Sequence, residues 1–139
     1  MREDQAPFIS RGDDSGTHKK ELDLWKKAGI EPNGDWYIKT GQGMGATLQM
    51  ADEKNSYTLT DEATFLAQKD KFDLVPVVEG DETLFNPYGI IKVKSTSNPE
   101  LADKLISYFI SPETQKVIGD FGKDQYGKGL FVPHAQKRQ

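Results

Sequence analysis

Short apolar runs alternate with amphipathic stretches along this chain, and the alternation predicts an α/β fold. Pro7 to Ser10 reads as the end of a short strand. A helix follows from about Ser15 to Ala28, with Leu22, Trp25 and Ala28 along one side, Gly29 at its end and Pro32 just beyond. Trp36-Tyr37-Ile38 is a second short extended piece, and Gly41 to Gly45 turns into a helix from Ala46 to about Lys54. Ser56 to Thr60 alternates like a strand, and Asp61 is placed to cap a helix from Glu62 to about Lys69.

Further on, Leu74-Val75-Pro76-Val77-Val78 is the most apolar strand candidate, although Pro76 pushes it towards an edge or bulge. Gly89 to Val93 is another strand candidate. Pro99 suits the first turn of a helix reaching about Phe109, and Ser111-Pro112-Glu113 opens a last helix to about Phe121. Gly122 to Pro133 reads as loop with a short apolar Leu130-Phe131-Val132. The sequence has no internal repeat and no low-complexity segment.

With 139 residues the chain has the length of one domain and can bury a core. A net charge of −4, with no basic stripe interleaved with aromatics, argues against nucleic acid as a partner. The Lys137-Arg138 pair is too short to alter that. There is no apolar run long enough for a membrane span and no visible secretory signal. Met1 to Ala6 reads as linker or vector-derived residues. Without cysteine there is no disulfide, no thiolate metal site and no thiol nucleophile, and two histidines, His18 and His134, make a His-rich metal centre implausible.

Chemistry concentrates in Ser10-Arg11-Gly12-Asp13-Asp14-Ser15-Gly16-Thr17-His18, which joins the first strand to the first helix. A helix start presents unpaired backbone N–H groups and the positive end of the helix dipole, and so attracts anions. Arg11 adds a permanently charged fork of donors, and Ser10, Ser15 and Thr17 add hydroxyls. The run reads as an oxyanion clamp. The plainer alternative is a capped turn, with Asp13, Asp14 or Ser15 as N-cap and Arg11 paired with an aspartate on the surface. His18 is expected on the first helical turn in solvent.

Gly41-Gln42-Gly43-Met44-Gly45-Ala46 contains G-x-G-x-x-A, with Asp61 twenty residues after Gly41, the outline of a dinucleotide fingerprint. The preceding strand is short and polar, and Asp61 is better used as a cap. The alternative is a second helix start whose amides, Gly45 among them, and the Thr47 hydroxyl face an anion; a plain glycine loop remains open. Thr58, near the C-terminal end of its strand, is on the edge where open α/β sheets bind ligands. No metal constellation, nucleophile–base pair or Lys-Ser/Thr phosphate loop is present, so the chain does not read as an enzyme.

Phe8 to Glu21, Trp36-Tyr37, Gly41 to Leu48, Tyr57 to Asp61 and Leu84-Phe85-Asn86-Pro87-Tyr88-Gly89 together resemble, in order, the tungstate-binding proteins of ABC transporters. That family resembles type II periplasmic binding proteins, with two α/β lobes about a cleft. The resemblance implies that residues 7–80 are the second lobe, an open sheet flanked by helices, and residues 81–139 the hinge return and C-terminal helical part of the first lobe. The family's other, threonine-rich anion-binding turn has no counterpart here, so the chain looks like the second half only.

By resemblance, Arg11 is the main charge partner of a bound tetrahedral oxyanion, tungstate or molybdate, with Ser10, Ser15, Gly16 and Thr17 as neighbouring donors and Gly45, Thr47 and Thr58 close by. No cofactor is implied. The implied partners are the anion and an ABC permease, and the implied location is periplasmic. The Arg-x-Asp-x-Ser-Gly-Thr pattern also resembles phosphate-binding proteins, in which the aspartate accepts a proton from hydrogen phosphate. Tungstate offers acceptors only, so Asp13 is expected to turn away and buttress Arg11 or cap the helix. The alternatives are phosphate-type binding and a nucleotide-binding enzyme or sensor domain. Unpartnered apolar surface at Tyr88 to Val93 and Leu105 to Phe109 implies a tendency to dimerise or exchange strands.

Overall fold

The computed structural model describes residues 6–135; residues 1–5 of the linker expected over 1–6, and the Lys137-Arg138 pair, lie outside the described residues. The chain forms two compact units, one ending at Asn86 and the other beginning at Pro87.

The first unit is built on a parallel sheet of three strands, β1 (Phe8–Ser10), β2 (Tyr37–Lys39) and β3 (Tyr57–Thr58), in the order β2-β1-β3. Helix α1 (Gly16–Lys27) links β1 to β2, α2 (Met44–Glu53) links β2 to β3, and α3 (Glu62–Gln68) follows. Because β2 and β3 flank β1 on opposite sides, right-handed crossovers place α1 and α2 on opposite faces of the sheet. Side chains alternate along β1. Phe8 faces α1 and joins Trp25 and Tyr37 in a buried aromatic cluster, backed by Ile30, Trp36 and Leu59. The Phe8 and Trp25 rings meet edge to face, their centroids 5.1 Å apart. Ile9 points the other way, and Leu48 and Ala51 of α2 are buried with it.

The helices begin where their caps stand. Ser15 caps α1 and Asp61 caps α3, each side chain accepting a backbone N–H of the first turn. Helix α2 starts two residues earlier than expected, because Gly43 takes the extended N-cap conformation without any side-chain cap. Two expected strands do not form. Leu74 to Val78 and Gly89 to Val93 have no strand beside them, and a strand exists only through its ladder. Pro76 removes one donor as well.

The second unit contains α4 (Pro99–Ile110), α5 (Pro112–Asp120) and α6 (Lys123–Tyr126). Pro99 and Pro112 open their helices as expected, and Ser111 caps α5 by accepting the Thr114 N–H at 3.2 Å. Helix α6 falls in a stretch expected to be loop, set between Gly122 and Gly127, both left-handed. None of this unit's described large hydrophobic side chains is buried: Tyr88, Ile91, Leu101, Leu105 and Val117 are all exposed. Among the described residues no helix is long and apolar enough to cross a membrane.

Candidate functional site

Three parallel strands bring their C-terminal ends, and the turns that follow them, to one edge of the sheet. Backbone hydrogen bonds tie the first two turns together. Thr40 N–H donates to Ser10 O at 2.9 Å and Gly41 N–H donates to Arg11 O at 2.8 Å. The Thr40 hydroxyl lies 3.3 Å from the same Arg11 oxygen.

The β1–α1 turn reverses sharply through two left-handed residues, Gly12 at φ +60° and Asp14 at φ +59°. Glycine is required at the first: a Cβ there would lie 2.9 Å from Lys39 Cβ. Arg11 and Asp13 form an ion pair, with Arg11 Nε donating to Asp13 Oδ2 at 3.1 Å and Nη2 donating to the same oxygen. The other Asp13 oxygen accepts Ser15 N–H at 3.2 Å. Hydrogen bonding from Ser15, and then the Arg11 guanidinium, pull the Asp13 pKa down from 3.8 to about 2. Asp13 thus buttresses Arg11. Ser15 Oγ accepts His18 N–H at 3.2 Å, while the Gly16 and Thr17 amides have no partner among the described residues.

Three of the expected donors are engaged elsewhere. Ser10 is fully buried; its oxygen accepts Gly12 N–H at 3.2 Å and lies 3.1 Å from the Tyr37 hydroxyl. Thr47 is equally buried and donates to Gly43 O at 3.0 Å. Thr58 donates to Ile9 O at 2.7 Å across the sheet. These hydroxyls hold the turns in place. Gly45 borders an open groove of about 450 Å³ lined also by Gln49, Asp52, Glu53, Gln68 and Lys71. Asp61 accepts Thr64 N–H at 2.8 Å as a cap, which removes the acid the dinucleotide outline needed. Among the described residues no group of three or more His, Asp or Glu is placed to hold a metal.

The family model for a PBP superfamily domain matches residues 2–113. The chain belongs to the PBP superfamily. It is 47% identical over 141 residues to the tungstate-binding protein TupA of Peptoclostridium acidaminophilum, covering 99% of this chain and 49% of the relative. It is 51% identical to the tungstate ABC transporter structure of Geobacter sulfurreducens, with a TM-score of 0.74, covering 86% of this chain and 52% of that one. The tungstate-binding TupA of Desulfovibrio alaskensis G20 is 44% identical with a TM-score of 0.69, over 97% of this chain and 57% of that chain. The chain therefore spans about half the length of the curated relatives it matches. The α/β, periplasmic-binding-protein-like fold expected from the sequence is the fold of these neighbours, and they are named as binding proteins and transporter components, not enzymes.

In this PBP domain the inner face of α1 carries His18, Glu21 and Trp25, all buried, whereas Leu22 and Ala28, expected on that side, are exposed. His18 is 7% exposed, which corrects its expected place in solvent. Glu21 accepts the Tyr37 hydroxyl at 2.6 Å and the Trp25 indole N–H at 3.2 Å. A phenol has one proton, and the carboxylate at 2.6 Å takes it; the Ser10 proton is left for the Tyr37 oxygen. Burial first, and then the bond to Glu21, push the Tyr37 pKa up to about 12. The chain Ser10–Tyr37–Glu21–Trp25 anchors the base of the turn. Its signal in the sequence is the spacing of His18, Glu21 and Trp25 at i, i+3 and i+7, a helix face outlined partly by polar residues.

Proposed function

We propose that this chain is part of an extracytoplasmic solute-binding component of an ABC transporter, and that its β1–α1 turn holds a tetrahedral oxyanion, tungstate or molybdate. Arg11 supplies the charge, and Ser15 with the Gly16 and Thr17 amides supplies neighbouring donors; the Gly45 amide at the start of α2 is a secondary contact. The partners in this reading are the anion and a permease, the location is periplasmic, and no cofactor takes part.

The observation that carries the reading is the Arg11–Asp13–Ser15 arrangement beside two unpartnered helix-start amides. A fully deprotonated dianion has only acceptors, so it favours a turn of donors in which the Asp13 carboxylate is already neutralised by Arg11 and the Asp14 side chain is exposed to solvent. Hydrogen phosphate, by contrast, would gain from an Asp13 oxygen open to accept its proton. The names of the relatives point the same way. With comparable contributions from the two lobes of a nanomolar site, one lobe holds about half of its roughly 12 kcal/mol, an affinity on the order of tens of micromolar.

Equilibrium dialysis of the full chain against tungstate, with phosphate as competitor, tests this. Saturable tungstate binding that Arg11→Ala abolishes supports the reading. Binding unaffected by Arg11→Ala, or tungstate displaced by equimolar phosphate, contradicts it.

A further inference from the structure

Two buried polar side chains lie on the inner face of α1, and only one is fully accounted for. Glu21 has both the Tyr37 and Trp25 protons. His18 uses Nδ1 to accept the Asp14 N–H at 3.0 Å, while its buried Nε2 has no partner among the described residues. An imidazole whose Nδ1 accepts is the neutral ring with its proton on Nε2. That leaves a buried donor without an acceptor, which a leucine of similar bulk would avoid. What the imidazole offers and leucine lacks is Nδ1, and what Nδ1 holds is Asp14. Asp14 is the non-glycine residue of this turn at φ +59°, a conformation disfavoured for an L residue with a side chain. The bond therefore fixes the most strained link between Arg11 and the start of α1.

We infer that His18 is a positioning residue for the anion turn: neutral Nδ1 latches the Asp14 amide and thereby sets where the Arg11–Asp13 pair and the Gly16 and Thr17 amides stand. The inference rests on the function proposed above for that turn. Asparagine at this position keeps an acceptor where Nδ1 stands, whereas leucine keeps bulk and removes both nitrogens.

The test uses the full chain as wild type, His18→Asn and His18→Leu. In the ligand-free wild type, imidazole ¹⁵N shifts should show an unprotonated Nδ1 and a protonated Nε2. Asp14 amide exchange should be slow in wild type and His18→Asn and fast in His18→Leu. His18→Leu should melt no lower than wild type yet bind tungstate about tenfold more weakly, the loss of one fixed contact, while His18→Asn binds as wild type does. Stability and binding moving in different directions is what a merely structural role would not give. A protonated Nδ1, equal Asp14 exchange in all three chains, or undiminished binding by His18→Leu overturns the inference. A wild type that binds no oxyanion overturns the functional reading instead, and the latch is then decided by the nitrogen shifts and the Asp14 exchange.

Discussion

The carbonyl oxygen of Arg11 accepts the amide proton of Gly41 at 2.8 Å, so the turn after β1 and the turn after β2 are one hydrogen-bonded unit. Arg11 is held through its backbone by the neighbouring turn and through its side chain by Asp13. Positioning of this kind reduces the ordering a ligand must impose on binding.

Arg11→Lys should separate charge from geometry. Lysine keeps the charge but loses the planar fork that engages Asp13 through two nitrogens. Tungstate affinity is expected to fall roughly tenfold, with thermal stability unchanged because the pair lies at the surface. Dialysis and a melting curve on the same sample read both.

The Asp13 carboxyl gives a signed pH dependence. Its pKa is about 2 in the fold against an ordinary 3.8, so its contribution is complete above the unfolded value and is lost as pH falls from about 4 towards 2. Asp120, held down to about 2 by Lys116 and Lys123, adds to the same window. Melting temperature followed between pH 5 and 2 should fall less steeply for Asp13→Asn than for wild type, in about that range.

Tyr37→Phe should lower stability by about 1–3 kcal/mol, because the buried Glu21 carboxylate keeps only the Trp25 donor. The sign at high pH is opposite to that of Asp13. With the folded pKa raised to about 12 from 10.0, stability held below pH 10 is lost as pH climbs towards 12. Urea midpoints across that window should drop for wild type and less for Tyr37→Phe.

Gly12→Ala should cost about 1–3 kcal/mol, since it places a side chain at φ +60° and a Cβ 2.9 Å from Lys39 Cβ. Chemical denaturation measures it, and Gly41→Ala, with nothing within 4 Å of its added Cβ, isolates the contribution of a left-handed φ alone.

The helix starts of both units are legible in the sequence because their signals are local. Ser15, Asp61, Pro99 and Ser111 marked helix starts, and each occupies that place. A short apolar patch marks β1, and period-two alternation marks β3. What was not legible depends on partners. Whether Leu74 to Val78 or Gly89 to Val93 becomes a strand is decided by a neighbouring backbone, and none lies beside them. The same applies within the site. Ser10, Thr47 and Thr58 are residue types that suit an anion, and in the fold each hydroxyl has a hydrogen-bond partner that sequence alone does not show. The inner face of α1 was misplaced because an apolar criterion skips His18 and Glu21, which are buried through their hydrogen bonds.

The exposed apolar side chains of the second unit, from Tyr88 to Val93 and along α4, predict association of the chain with itself. Light scattering across a concentration series should show mass rising above the monomer; a constant monomer mass would contradict this.

The central claim, that the β1–α1 turn is an oxyanion site, is tested most directly by an amide NMR titration of the full chain with tungstate, alongside molybdate, phosphate, sulfate and NADH. The account predicts saturable tungstate or molybdate shifts centred on Gly12 to His18, with smaller ones at Gly43 to Thr47, and none from NADH. Unmoved Gly12 to His18 amides at millimolar tungstate would contradict it.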